Sequence, residues 1–136
     1  MNESKFYQAS GHIEGFKMAN LKTHYENGSF VVEFYASSIL NQSDVESIGN
    51  ELLLIAAKSA CSRVVVDLEN VDFLSSAMIG VFIRFKMRLR KNDSDLKLCN
   101  ASPDLMEMLK LTKLNTVFDI HDSRRSAIES FCGVVE

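Results

Sequence analysis

Apolar and polar positions along the chain follow two periods that alternate with each other. Leu21, Thr23 and Tyr25 alternate with their neighbours up to Glu26-Asn27-Gly28, and Phe30, Val32 and Phe34 alternate after it. A period of two is that of a strand with one buried face. Asn-Gly is a strong hairpin signal, because both central residues of a type I′ turn need positive φ. From Ser43 to about Lys58 the period lengthens, with Val45, Ile48, Leu52 and Ile55 at helical spacing. Ser43, followed three residues later by Glu46, reads as a capping box that starts this first helix. Arg63 to Leu68, RVVVDL, is apolar on both faces, as in a strand buried between layers at the centre of a sheet.

Val71 and Phe73 then lead into Leu74-Ser75-Ser76, after which Met78, Phe82, Phe85 and Leu89 share one helix face. A second helix therefore begins near Ser76. Arg84, Arg88 and Lys91 line up away from that apolar stripe, read first as a solvated face that keeps an amphipathic helix soluble, with a specific docking patch as the alternative. Leu96 and Leu98 alternate with Asp95 and Lys97 in a short strand. Ser102-Pro103 follows as an N-cap with proline at the first helical position, where its missing N–H costs nothing, and this third helix runs to about Leu111. Val117, Phe118 and Ile120 make a last strand, and Asp122 or Ser123 caps a final helix carrying Ala127, Ile128 and Phe131. Residues 1–20 show no sustained period and are assigned as an N-terminal extension or edge element, with the domain spanning 21–136. Strands alternating with helices predict an α/β fold: a mixed, mostly parallel β-sheet with about four α-helices packed on it.

The chain's 136 residues suit one domain. With 46% apolar residues and one proline, a packed core is expected rather than disorder. A formal net charge of -3 gives no general attraction to phosphate backbones, so nucleic acid is not an expected partner. The N-terminal residues lack a basic region followed by an apolar stretch, and every apolar run is far shorter than a bilayer span. A cytoplasmic protein without membrane insertion is the expectation. Cys61, Cys99 and Cys132 are too widely spaced for a CxxC metal site and read as buried free thiols.

Catalytic patterns are missing. Neither GxxxxGK[ST] nor GxGxxG occurs, so the glycine-rich phosphate cradles are absent. His12, His24 and His121 have no spacing that would bring two onto one metal, and no GxSxG surrounds the serine pair. Asp67, Glu69 and Asp72 form the one carboxylate cluster at a strand-to-helix junction. In an extended chain Asp67 and its neighbours point to alternate sides, so these are expected to be solvated turn carboxylates rather than a converging acid-base pair. No catalytic, cofactor-binding or metal-ligating residue is expected, and no cofactor.

Ser76 is the position with chemical potential. A serine at a helix start caps it by accepting a hydrogen bond from a first-turn N–H, worth about 1 kcal/mol. Phosphorylation there adds about -1.5 to -2 charge where the helix dipole favours an anion, so the fold is retained while the surface changes.

The segment Val64-Val65-Val66-Asp67-Leu68-Glu69-Asn70-Val71-Asp72-Phe73-Leu74-Ser75-Ser76-Ala77-Met78-Ile79-Gly80 resembles the signature of STAS domains in anti-sigma factor antagonists. That signature reads apolar-apolar-Asp-Leu-x-x-Val-x-Phe-apolar-Asp-Ser-Ser-Gly-Leu-Gly. The resemblance continues through the basic helix Arg84 to Lys91, Leu96 to Asn100, Ser102-Pro103 and Leu109 to Leu114, covering about Leu21 to Phe131. It implies a partner-switching mechanism in which the unphosphorylated domain binds an anti-sigma factor that is also a serine kinase of the GHKL type. Phosphorylation dissociates the pair, and a PP2C-type serine phosphatase resets it.

Carried over, the phosphoacceptor falls on Ser76, with Ser75 the less favoured alternative, and the partner-binding positions fall on Ser75, Ser76, Ala77 and Met78. Ser75 stands where the motif has aspartate, Ala77 where it has a second serine, and Met78 where it has glycine. Loss of that aspartate motivates a second reading, a non-phosphorylated scaffold subunit of a signalling or lipid-transport complex.

Overall fold

A computed structural model describes residues 20–35, 38–39, 42–58 and 63–133. Strands β1 (Leu21–Glu26) and β2 (Ser29–Phe34) form the hairpin. Between them Asn27 and Gly28 have φ of 51° and 84°, the positive values for which Asn-Gly is suited. The chain then runs through β3 (Ser38–Ile39), α1 (Gln42–Lys58), β4 (Arg63–Asp67), β5 (Phe73–Leu74), α2 (Ser76–Lys91), β6 (Asp95–Cys99) and α3 (Pro103–Leu111). A short 3-10 turn at Leu114–Thr116, β7 (Asp119–His121) and α4 (Arg124–Gly133) complete it.

The main sheet has the order β1-β2-β4-β6-β7. β1 is antiparallel to β2, and every other neighbour is parallel. RVVVDL supplies the central strand, as its two-sided apolar character requires. β3 and β5 pair in parallel as a separate two-stranded ribbon, with Ser38 opposite Phe73 and Ile39 opposite Leu74. Two residues in each strand are too few for a sequence period to announce this ribbon.

The two faces of the sheet are covered unequally. Phe30, Val32, Val64, Val66, Leu96 and Leu98 pack with apolar residues of α1, α2 and α3 into the larger core. Met78, Phe82, Phe85 and Leu89 of α2 are all buried there, as their shared stripe predicts. Each such side chain contributes about 1.5–3 kcal/mol on burial. On the other face α4 lays Ala127 and Ile128 over Val31, Val65 and Cys99.

Local expectations hold at α3, where Ser102 Oγ accepts the Leu105 N–H at 3.1 Å with Pro103 at the helix start. Ser123 proves to be the cap of α4, accepting the Ser126 N–H at 3.0 Å. Two expectations shift. Helix α1 already includes Gln42, so Ser43 sits inside its first turn instead of preceding it. The last strand begins at Asp119, because Val117 and Phe118 donate back to the Leu114 carbonyl and close the 3-10 turn first. Lys97 is 7% exposed. It pairs with Asp119 and lies 4.9 Å from the Phe131 ring centroid, so α4 covers the face on which alternation had placed a polar position. Residues 1–19 of the expected 1–20 extension, with His12, and Cys61 lie outside the described residues, as does the Cys132 side chain.

Candidate functional site

The site is assembled from the C-terminal end of β4 onward. Asp67 ends that strand and is 2% exposed. Its Oδ1 accepts the Glu69 N–H at 2.9 Å and Asn100 Nδ2 at 3.0 Å. Its Oδ2 accepts Arg124 Nε at 2.9 Å. Arg124 also reaches Glu26 Oε1 at 3.0 Å and pairs with Glu33. The expectation of a solvated Asp67 is therefore corrected: the strand's last residue points under α4, where an arginine from the end of the chain meets it. Glu69 and Asp72 are exposed, as expected.

This arrangement has electrostatic consequences. Burial alone would lower the Arg124 pKa, but its hydrogen bonds to Asp67 and Glu26 prevail and raise it. The bond from His24, 3.0 Å away, and then Arg124 hold the Glu26 carboxyl below its ordinary value. Burial, reinforced by the Asp67 charge, pushes the Cys99 thiol up to about 12.

From Asp67 the chain turns tightly, with the Leu68 N–H donating to the Cys99 carbonyl and the Val71 N–H to the Leu68 carbonyl, both at 2.9 Å. β5 then buries Leu74 and leaves Phe73 51% exposed. Ser75 follows with extended backbone, φ -76° and ψ 162°. Its Oγ accepts the Met78 N–H at 3.2 Å and its carbonyl accepts the Ile79 N–H at 3.0 Å.

The cap of α2 is thus Ser75, one residue before the position assigned from sequence. Ser76 becomes the first residue of the helix and is exposed, as is Ala77. Met78 is 0% exposed and belongs to the core. Its side chain supports the helix start from beneath and is not presented to a partner, because the stripe that fills the core begins with it. The structure therefore brings Ser75, Ser76 and Ala77 together at one helix end and separates Met78 from them.

The first turn of α2 carries no acidic side chain. An anion on Ser76 would meet the positive end of the helix dipole without a competing carboxylate in that turn. Alongside, an open groove of about 450 Å3 runs between α1 and α2, starting at Val45, Glu46 and Ala77.

Arg124, which ties α4 to Asp67, does not stand out in the sequence as a site residue. Its signal was Arg124-Arg125 just after a cap serine, since cations oppose the dipole at a helix N-terminus unless acids elsewhere compensate. Among the described residues no group of three or more His, Cys, Asp and Glu side chains could hold a metal ion. No described helix is long and apolar enough to cross a membrane.

The STAS domain model matches residues 22–127. The chain belongs to the STAS domain family. Within it, BtrV of Bordetella bronchiseptica, by its name a candidate anti-sigma factor antagonist, is 29% identical over 93 residues, 68% of this chain and 79% of that one. A STAS domain anti-sigma-factor antagonist from Planctomyces limnophilus superposes with a TM-score of 0.74 at 25% identity, covering 84% of this chain and 99% of that one. SpoIIAA, an anti-sigma factor antagonist solved in an unphosphorylated form, shares the fold with a TM-score of 0.68 at 17% identity, covering 85% and 99%. Its phosphorylated form, from Bacillus, has a TM-score of 0.61 at 16% identity, covering 82% and 98%. The solved structures share with the described residues of this chain the fold of a mixed, mostly parallel sheet and four helices.

Proposed function

We propose that this STAS domain is an anti-sigma factor antagonist that works by partner switching. Unphosphorylated, it binds an anti-sigma factor that is also a GHKL-type serine kinase; phosphorylation of Ser76 releases the partner, and a PP2C-type phosphatase restores the binding form. The domain acts by binding, not by turnover of its own. The names of the relatives support the antagonist role, and the existence of SpoIIAA in two phosphorylation forms supports the switch.

The observation that carries the reading is the division of labour between adjacent serines. Ser75 holds the helix cap, so the exposed Ser76 hydroxyl is not needed to hold the helix. A phosphate there leaves the fold intact and acts on the partner through repulsion and desolvation. Phe73, half-exposed next to this end, and Ala77 supply apolar surface for docking.

Binding of the kinase to variants of the full chain tests this. Ser76→Ala should keep binding, and Ser76→Asp should weaken it by about tenfold, or about 1.4 kcal/mol. Equal affinity of Ser76→Asp and wild type would remove the switch. Ser75 in the aspartate position favours the scaffold reading, because its hydroxyl caps α2 and offers no carboxylate to present the acceptor to a kinase. Under that reading Ser76→Asp would disturb assembly no more than a neighbouring surface change.

A further inference from the structure

The groove between α1 and α2 has features that a switch at Ser76 does not require. Helices α1 and α2 run side by side in the same direction: Val45 and Ala77 meet the groove at one end, and Asn92 Nδ2 donates to the Ala56 carbonyl at 3.2 Å beyond the other. Leu52, Val81 and Phe85 provide an apolar floor. Gly49 and Gly80 line the walls, each inside a helix. A methyl group at Gly49 would meet Val81 at 3.6 Å, and one at Gly80 would meet Arg84 Nη1 at 3.7 Å, both ordinary contacts. Neither glycine has positive φ. Backbone and packing therefore permit alanine at both places, and alanine would favour the helices. What the glycines provide is an open trough.

Charge points the same way. Helix α2 carries Arg84, Lys86, Arg88, Arg90 and Lys91 and no acidic residue, in a chain of net charge -3. Lys86 pairs with Asp95 at 3.6 Å. Among the described residues, Arg84, Arg88, Arg90 and Lys91 have no ion-pair partner. Helical spacing puts Arg84 and Arg88 on the side of α2 that carries Ala77 and Val81, toward α1.

We propose that this groove receives an acidic amphipathic helix of a partner protein. Its apolar face seats between Gly49 and Gly80, and its carboxylates meet Arg84 and Arg88. Two parallel helices offer a third helix a seat for its side-chain ridges. The apolar floor has Arg84 on its α2 wall and a single carboxylate, Glu46, at its α1 entrance, which matches an amphipathic helix whose acidic face turns toward α2 better than a uniformly charged polyanion. The proposal rests on the partner-binding reading of Ser76 only in placing this side of the domain at an interface.

Titration of the 15N-labelled full chain with a synthetic amphipathic helix of leucine and glutamate, and with its lysine counterpart, tests it. The glutamate peptide should give saturable amide shifts at Gly49, Leu53, Ala77, Gly80 and Arg84, and the lysine peptide none. Arg84→Glu with Arg88→Glu should weaken the glutamate peptide by about tenfold or more. Gly49→Ala with Gly80→Ala should raise the thermal midpoint by about 2–4 °C yet weaken binding, which separates groove filling from misfolding. No saturable shift at millimolar peptide, shifts centred elsewhere, equal response to both peptides, or undiminished binding by the alanine pair would each overturn the proposal. Stronger shifts on the same residues with an oligonucleotide or phosphatidylserine vesicles would also overturn it. Phosphosite mapping at Ser76 reports on the switch separately, so either reading can fail while the other stands.

Discussion

The Asp67 carboxylate, whose side chain is 1% exposed, and the Arg124 guanidinium meet at 2.9 Å across 57 residues of sequence. This pair ties the start of α4 to the central strand and, through the Glu69 N–H, to the turn that leads to Ser75 and Ser76. Glu26 and Glu33 share the same arginine.

Removing one partner leaves a buried charge uncompensated. Arg124→Met should therefore destabilise the domain by about 3–5 kcal/mol in urea unfolding. Replacing Arg124 and Asp67 together with apolar residues should cost less than the arginine change alone, since the most deeply buried carboxylate leaves with its partner and only the more exposed Glu26 and Glu33 lose the cation.

The neighbouring serines should separate cleanly in stability measurements. Ser75→Ala removes the cap and should cost about 1 kcal/mol. Ser76→Ala changes an exposed first-turn position and should stay within about 0.5 kcal/mol. Chemical denaturation of the two variants, side by side, checks the assignment of the cap.

How much of this was legible locally depends on range. The Asn27-Gly28 turn, the α2 stripe and the Ser102 cap follow from residues within a few positions of one another, and all three appear as read. Ser75 and Ser76 could not be ranked as caps from register alone, because one residue of phase at a strand-to-helix junction leaves the periodicity almost unchanged. The burial of Asp67 and Lys97 depends on α4 folding back over the sheet, and no local pattern near either residue carries that information. The ribbon of β3 and β5 rests on two residues in each strand, too few for a period to show.

Acid should destabilise the domain through two carboxylates. Hydrogen bonding to His24, and then to Arg124, lowers the Glu26 pKa from 4.5. Burial acts to raise Asp119, but bonds from Lys97 and His121 lower it from 3.8. A lowered native pKa contributes stability that is complete above the unfolded value and is lost as pH falls through the native one. Thermal midpoints should therefore hold between about pH 6 and 5 with respect to these groups and decline below about pH 4.5. Replacing Lys97 with methionine should flatten part of that decline.

Cys99 should be inert while the domain is folded. It is buried and its thiol is pushed up to about 12, so thiolate is scarce near neutral pH. Iodoacetamide labelling followed by peptide mass spectrometry should find Cys99 unmodified in buffer and modified in denaturing urea.

Phosphosite mapping of the protein after incubation with Mg-ATP and a lysate of its own organism, alongside Ser76→Ala, tests the central claim most directly. A phosphoryl group on Ser76 that disappears in the variant is the predicted result. An unmodified Ser76 in a lysate of confirmed kinase activity, or a phosphoryl group on Ser75 in its place, would contradict it.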